Sequence, residues 1–531
     1  MKFRKFILIG LLPILVTSCN PGSIKEVEIP VNQIDDKNRN YYEIFPIAFA
    51  DSNADGKGDL RGIIEKFDYL KSFNYKGLWL TPVHPSETYH KYDVDNYYEI
   101  DPDFGTIADY DELVKLCHEN DMTIILDLVL NHSSDDIEWF GKSYAAHARN
   151  KVDDPYYEYY NFKPYKGGSA DPGYTIKGNL QYESQFWSGM PDLNLESILK
   201  NPDGYLAKEI KDIMKYWLID RDIDGFRLDA VTSFFTGNIQ KNKEILTWIN
   251  TEAKKIKSDA YIVGEAWTST SEITQYYETG IDSFFQFEDH AANGYIAQTQ
   301  IAQDGSYPFY AMNQNLKTAK GGVPAPFVAN HDTGRLIGAA LGNTKPENVK
   351  FLHGILEMMN GATYNYYGDE VGMAICPPKN GEKAKDEDKR QPMPWGDKYQ
   401  CKSVLGSTNC EDEVKYPHGT VKDQEKNPNS ILNYVRKANT IRNQFMPIAR
   451  GDIKEVYVSD DDALGVIEKT YKGEVVYVCI NASNTKTKDY DFSQIGGEEV
   501  VGQLVALENT YIKKIADKKI SIPPKGIAII R

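Results

Sequence analysis

The chain has 531 residues and a formal net charge of −17, from 60 basic and 77 acidic side chains. A 41% hydrophobic and 26% charged composition fits a soluble globular protein of about two to four domains. It excludes a disordered chain, a collagenous repeat and a polytopic membrane protein. The acidic balance argues against a general nucleic-acid binder, because no cationic surplus exists to displace phosphate counterions. Tyr is abundant, 36 against 21 Phe and 7 Trp. Its apolar face and hydroxyl suit sugar rings but also fill ordinary cores.

Residues 1–18 read as a leader. Lys2, Arg4 and Lys5 precede an apolar run, 6–16, that is too short to span a bilayer comfortably. The run ends Val16-Thr17-Ser18-Cys19, which resembles the lipobox of bacterial lipoproteins and implies a diacylglycerol on Cys19 after cleavage. A plain secretory signal with an incidental Cys is the alternative. The first reading predicts an exported lipoprotein at the outer membrane or cell surface, attached to the membrane by its N-terminal anchor. Residues 19–38, polar with Pro21, Gly22 and Pro30, would be the lipidated tether. Of the other cysteines, Cys117 lies in a helical pattern and Cys479 in a strand pattern, as buried thiols do. Cys376, Cys401 and Cys410 share a loop-rich stretch where one disulfide is expected, its pairing open.

From about residue 40 to 445, short apolar runs alternate with amphipathic helical patterns. Strands are predicted at 41–45, 77–80, 123–128, 225–228, 261–263, 283–287, 326–328 and 362–367. Eight strand–helix units predict a parallel (β/α)8 TIM barrel. A doubly wound open sheet would want a glycine-rich phosphate turn after the first strand, and none is present. The long connection between the third and fourth predicted strands predicts an inserted subdomain, 132–190, between barrel segments 39–131 and 191–445. A Tyr-rich stretch there, 156–165, is a candidate rim for a binding cleft. Beyond 446 the pattern becomes alternating strands, a C-terminal antiparallel β-sandwich over 446–531.

Functional residues of such a barrel sit at the C-terminal ends of its strands. Those ends read Asp127-Leu128-Val129-Leu130-Asn131-His132, Gly225-Phe226-Arg227-Leu228-Asp229, Val263-Gly264-Glu265-Ala266-Trp267 and Phe327-Val328-Ala329-Asn330-His331-Asp332. In this order and placement, the four segments closely resemble the conserved regions of glycoside hydrolase family 13, the α-amylase family. Glycoside hydrolysis needs a nucleophile and a proton donor around an oxocarbenium-like transition state. Asp229, Glu265 and Asp332 crowded together would repel as carboxylates and raise the proton affinity of one of them. Arg227, two residues before Asp229, shares its strand face and would keep it ionised. Glu265 is then the general acid and base. The resemblance implies that Asp332 orients the sugar, and that Tyr92, Asp127, His132, Arg227, His331 and Arg335 contact substrate. Tyr92, in His90-Lys91-Tyr92-Asp93, would be the stacking platform, since that segment resembles the family's His-Gly-Tyr-Asp.

The loop 51–59 places Asp51, Asn53, Asp55, Lys57 and Asp59 at alternate positions, with Gly56 at the sharp turn. That is a hard-cation pattern, so a structural Ca2+ is expected there, with a metal-free Asx turn as the alternative. No spacing resembles a zinc site. Many α-amylases carry Lys-His three and four residues after the nucleophile; Thr232 and Ser233 stand there instead. This puts in doubt the calcium site that would use Asn131, and removes a leaving-group contact. Met190-Pro191-Asp192-Leu193-Asn194 and Arg390-Gln391-Pro392-Met393-Pro394-Trp395 resemble motifs of the oligo-1,6-glucosidase and neopullulanase branches. Yet Tyr89 replaces the acidic residue with which exo-acting α-glucosidases block the cleft. The reading is a retaining, endo-acting α-amylase-like enzyme on starch or maltooligosaccharides. The alternatives are an α-1,6-directed or transglycosylating enzyme, and a non-catalytic glucan-binding lipoprotein.

Overall fold

The computed structural model describes residues 36–290, 293–339, 345–377, 384–404, 406–408 and 410–531. The leader, Cys19 and most of the tether lie outside the described residues. In chain order the first strands are β1 (Tyr41–Ile44), β2 (Gly77–Leu80) and β3 (Thr123–Leu128), then a trio β4 (Phe162–Pro164), β5 (Tyr174–Lys177) and β6 (Leu180–Glu183). Five more follow: β7 (Gly225–Leu228), β8 (Tyr261–Gly264), β9 (Ser283–Gln286), β10 (Val323–Pro326) and β11 (Tyr364–Tyr366).

Leaving out the trio, these strands form one parallel sheet in the order β10-β9-β8-β7-β3-β2-β1-β11. A bridge between Phe327 and Tyr364 brings its two edges together, giving the (β/α)8 barrel. The strands β1, β2, β7 and β8 are buried at every position, as parallel strands covered by helices must be. Inside the lower barrel, Tyr41 stacks between Tyr261 and Tyr364 at 5.4 and 4.8 Å. Gly77 makes room for that ring, because a Cβ there would fall 2.3 Å from it. The seventh barrel strand starts three residues before its predicted position. Pro324 and Pro326 hide it from a strand-propensity reading, and they are tolerated because β10 lies at the barrel seam.

Between β3 and β7 the chain makes a helix, Glu138–Ala148, and a small antiparallel sheet in the order β4-β6-β5. Bridges from His132 to Asp192 and from Tyr160 to Leu193 tie this insert to the barrel. Tyr159 and Tyr160 are buried, against Trp139 at 5.5 Å and against the Ser133 hydroxyl at 2.6 Å. These two members of the Tyr-rich stretch therefore pack the insert rather than rim a glucan cleft.

The C-terminal region adds β12 (Asp452–Val458), β13 (Leu464–Tyr471), β14 (Glu474–Asn481), β15 (Lys488–Asp491), β16 (Val500–Val505), β17 (Lys513–Ala516), β18 (Lys519–Ile522) and β19 (Gly526–Ile530). They form antiparallel sheets ordered β12-β13-β14-β19-β16 and β15-β18-β17. Val466 and Cys479 from one sheet share a core with Tyr490, Ile520 and Ile522 from the other, a two-layer sandwich. Cys376 and Cys410 form the disulfide, with Cα atoms 5.6 Å apart, and Cys117, Cys401 and Cys479 are buried thiols. Among the described residues no helix is long and apolar enough to cross a membrane.

Candidate active site

Alternation along the strands decides which side chains meet above the tyrosine layer. Two residues beyond Tyr41 on β1 comes Glu43, beyond Ile125 on β3 comes Asp127, and beyond Gly225 on β7 comes Arg227. Asp127 and Arg227 are direct partners in the β3–β7 register. Arg227 is fully buried and its guanidinium is the hub: one nitrogen bonds Asp127 and donates to Asp229 at 2.7 Å, and another lies 3.0 Å from Glu265. Trp79 on β2 donates to the second oxygen of Asp127 at 3.0 Å.

The two carboxylates facing Arg227 are held differently. Asp229 receives an aligned hydrogen bond, whereas the nitrogen near Glu265 makes only an ionic contact without hydrogen-bond alignment. One oxygen of Glu265 accepts from the Ala230 amide at 3.2 Å, while the other is buried without an aligned hydrogen bond, with the Trp267 side chain close enough to favour ionisation of the carboxyl. A neutral acid tolerates such an oxygen better than a carboxylate does. Burial raises the proton affinity of both groups and Arg227 opposes it in both. Ala230 adopts φ +45°, a left-handed turn that L residues rarely take. Its amide thereby reaches the Glu265 carboxyl immediately after Asp229.

Asp332 follows β10 and is the most open of the three, its side chain 31% exposed against 11% for Asp229 and 5% for Glu265. His331 Nε2 lies 2.9 Å from one Asp332 oxygen, and Arg390 donates to the other at 2.7 Å. Burial works against ionising Asp332, but His331 and Arg390 hold it well below the usual carboxylate range. Burial likewise disfavours charge on His331, yet Asp332 and Glu43 hold its pKa up at about 10. Glu43 lies 2.6 Å from His331 Nδ1. The Tyr92 ring stacks on His331 at 5.7 Å, its hydroxyl 2.7 Å from Nε2. His132 is buried, its Nε2 has no partner, and burial lowers its pKa to about 4.

The three candidate carboxylates, Tyr92, Asp127, Arg227 and His331 thus form one linked cluster. The expected substrate contacts are not equally open. Asp127, Arg227 and His331 are fully enclosed and bonded to the carboxylates or to one another's partners. Arg335 is not brought to the cleft. It is buried, bonded to Asp369 and to the carbonyls of Tyr367 and Lys389, and lies over the rings of Tyr366 and Tyr367. Arg390 is the arginine that reaches Asp332, and it also donates to the Tyr89 hydroxyl at 2.7 Å. Glu43 and Arg390 were not singled out as site residues from the sequence. Glu43 had a signal, its inward position at the end of a strand. Arg390 did not, because a loop residue's reach depends on the fold.

In the loop after β1, Asp51 accepts from the amides of Asn53, Ala54 and Gly56, and Asn53 and Asp55 accept from amides two residues on. Asp59 accepts from Ser52 and Gly62. The side chain of Lys57 turns away to Asp103 at 2.6 Å, so only its carbonyl could serve a cation. Among the described residues no group of three or more His, Cys, Asp or Glu converges as a metal cage.

A family model described as "Alpha amylase, catalytic domain" matches residues 43–451. Alpha-amylase 3 of Dictyoglomus thermophilum is 34% identical over 440 residues, 81% of each chain. An oligo-1,6-glucosidase of Parageobacillus thermoglucosidasius is 28% identical over 519 residues, 83% of this chain and 89% of that one. Among solved structures, Eubacterium rectale Amy13B superposes with a TM-score of 0.83 at 33% identity, covering 94% of this chain and 97% of that one.

Proposed function

Because the chain belongs to the α-amylase family of glycoside hydrolases, we propose that it is a retaining, endo-acting enzyme that cleaves α-1,4-glucosidic bonds in starch or maltooligosaccharides. The observation that carries this is the unequal treatment of two buried carboxyls by one guanidinium. Asp229, held by an aligned bond from Arg227, is the nucleophile that attacks the anomeric carbon. Glu265, with one oxygen lacking an aligned bond, gives its proton to the departing glycosidic oxygen and later takes one from the attacking water. Asp332, ionised and open to the cleft, binds sugar hydroxyls, and Tyr92 supplies the face beneath the ring.

Endo action is supported by Tyr89, whose neutral hydroxyl meets Arg390 through a single hydrogen bond rather than an ion pair. One observation favours a second reading, α-1,6 or short-chain hydrolysis. Arg390 spans Tyr89 and Asp332, narrowing the space beside Asp332, and an oligo-1,6-glucosidase is among the relatives. Digestion of amylose, pullulan and panose separates the two. The expected result is rapid loss of amylose chain length, mixed maltooligosaccharides as first products, and α-anomers at the newly formed ends. Glucose as the sole early product would sink endo action, β-anomers would sink retention, and a preference for panose would establish the second reading.

The leader and Cys19 support export and a lipid anchor at the cell surface. For the 51–59 loop, hard oxygens from Asp51, Asn53, Asp55, Asp59 and the Lys57 carbonyl suit Ca2+ in a structural role, each oxygen retaining lone pairs beyond its amide bond. A strong chelator should then lower the melting temperature by several degrees, and added Ca2+ should restore it. An unchanged melting temperature would leave the loop as a chain of Asx turns.

A further inference from the structure

We propose that Phe186 and Trp187 are the platform for glucosyl units on the leaving-group side of the scissile bond, an assignment that rests on the α-glucan hydrolase reading. Both rings are about half exposed, at 54% and 52%. They stand next to each other on the turn that follows β6, and this turn is rigidly held. The Tyr182 hydroxyl donates to the Ser188 carbonyl at 2.6 Å, the Met190 amide to Trp187 at 2.9 Å, and the Asp135 amide to Gly189 at 3.1 Å. The Trp187 ring folds back over Gly189, where a Cβ would fall 2.2 Å from it, so a larger residue there would displace the ring. Two large rings fixed in water forgo burial that a mobile loop could give them, while presenting a preorganised apolar surface. Such a surface suits the C–H faces of a pyranose.

The turn's anchor shows which side of the bond it serves. Gln185, just before Phe186, donates to Asp192 at 2.7 Å and to the Ser233 carbonyl at 3.3 Å, and Thr236 donates back to it. Ser233 belongs to the segment that leaves Asp229 and borders the proton donor: the Ala230 amide bonds the Glu265 carboxyl, and the Val231 amide bonds its carbonyl at 3.1 Å. A proton donor faces the leaving group, so the segment 230–236 and the turn fastened to it lie on that side. Phe186 also lies 5.4 Å from the ring of His132, which follows β3 at the C-terminal end of the barrel. Thr232 and Ser233 bring no charge to grip the departing sugar. Stacking on Phe186 and Trp187 supplies that grip, and Gln185 is their positioning residue.

The test compares two substrates. Maltoheptaose places sugars on both sides of the bond, whereas α-maltotriosyl fluoride has only fluoride as its leaving group. The Phe186→Ala/Trp187→Ala double variant should lose at least about tenfold in kcat/KM on maltoheptaose and less than about twofold on the fluoride. It should also form fewer transglycosylation products, because acceptor sugars use the same platform. Phe186→Tyr/Trp187→Phe should restore most of the loss. Equal losses on both substrates, or none on either, would overturn the assignment. A parent enzyme inactive on both would instead overturn the glycosidase reading, and the platform with it.

Discussion

Asp229→Ala and Glu265→Gln should each lower kcat on maltooligosaccharides by at least about ten-thousandfold, and azide should rescue them with opposite stereochemistry. In Asp229→Ala the nucleophile's place is empty. Azide can enter and attack α-maltotriosyl fluoride directly, inverting the centre to a β-glycosyl azide. In Glu265→Gln the nucleophile remains and fluoride leaves without a proton, so the covalent intermediate still forms. It then lacks a base to activate water, and azide, which needs none, releases it as the α-glycosyl azide. The two anomers assign nucleophile and acid/base without relying on the size of either loss. Gln is isosteric with the protonated Glu265 and Ala is smaller than Asp229, so neither substitution overpacks the site and neither should prevent folding. An Asp229→Ala product with α configuration, or near-normal activity in either variant, would refute the assignment.

Strand ends were legible in the sequence because a parallel barrel buries its strands on both faces, leaving continuous apolar runs that stop where polar chemistry begins. Asp229, Glu265 and Asp332 could thus be found together before any coordinates. The misreadings have physical causes. The seventh strand carries two prolines, which a propensity argument rejects and a barrel seam accepts. Arg335 lies three residues from Asp332 but points beneath it, bonded to Asp369, whereas Arg390 lies far along the chain and reaches the carboxylate. The division of the site into exposed contacts and enclosed supports was also invisible. Whether His331 touches a sugar or holds Asp332 depends on what packs above it, and spacing along the chain does not contain that. The same limit applied to the cysteines: three candidates shared a stretch, and only the fold brought Cys376 to Cys410 and left Cys401 a thiol.

Arg227→Met should cost about 3–5 kcal/mol of stability near neutral pH as well as activity, and the cost should shrink as the solution is acidified. Met reproduces the aliphatic stem but not the guanidinium, so the loss combines a buried void, which is indifferent to pH, with lost charge, which is not. Without the guanidinium, Asp127, Asp229 and Glu265 are left buried with no cation in contact, and Arg227 is the strongest influence lowering the pKa of each in the parent. Removing it lifts their folded-state pKa values further above the unfolded ones, so the folded variant binds more protons than the unfolded chain. Its stability must then fall as pH rises through the carboxylates' raised range, more steeply than the parent's. Urea denaturation between about pH 4.5 and 8 measures the difference. Asp127→Asn added to Arg227→Met should recover part of the lost stability by removing one orphaned charge, while leaving the enzyme inactive. Arg227→Lys keeps a charge but not a fork that spans three carboxylates, and should fold better than the Met variant yet remain catalytically poor. A stability deficit that does not change with pH would mean that Arg227 contributes packing alone. Glu265 and Asp229 would then owe their different roles to the Ala230 turn rather than to the guanidinium between them.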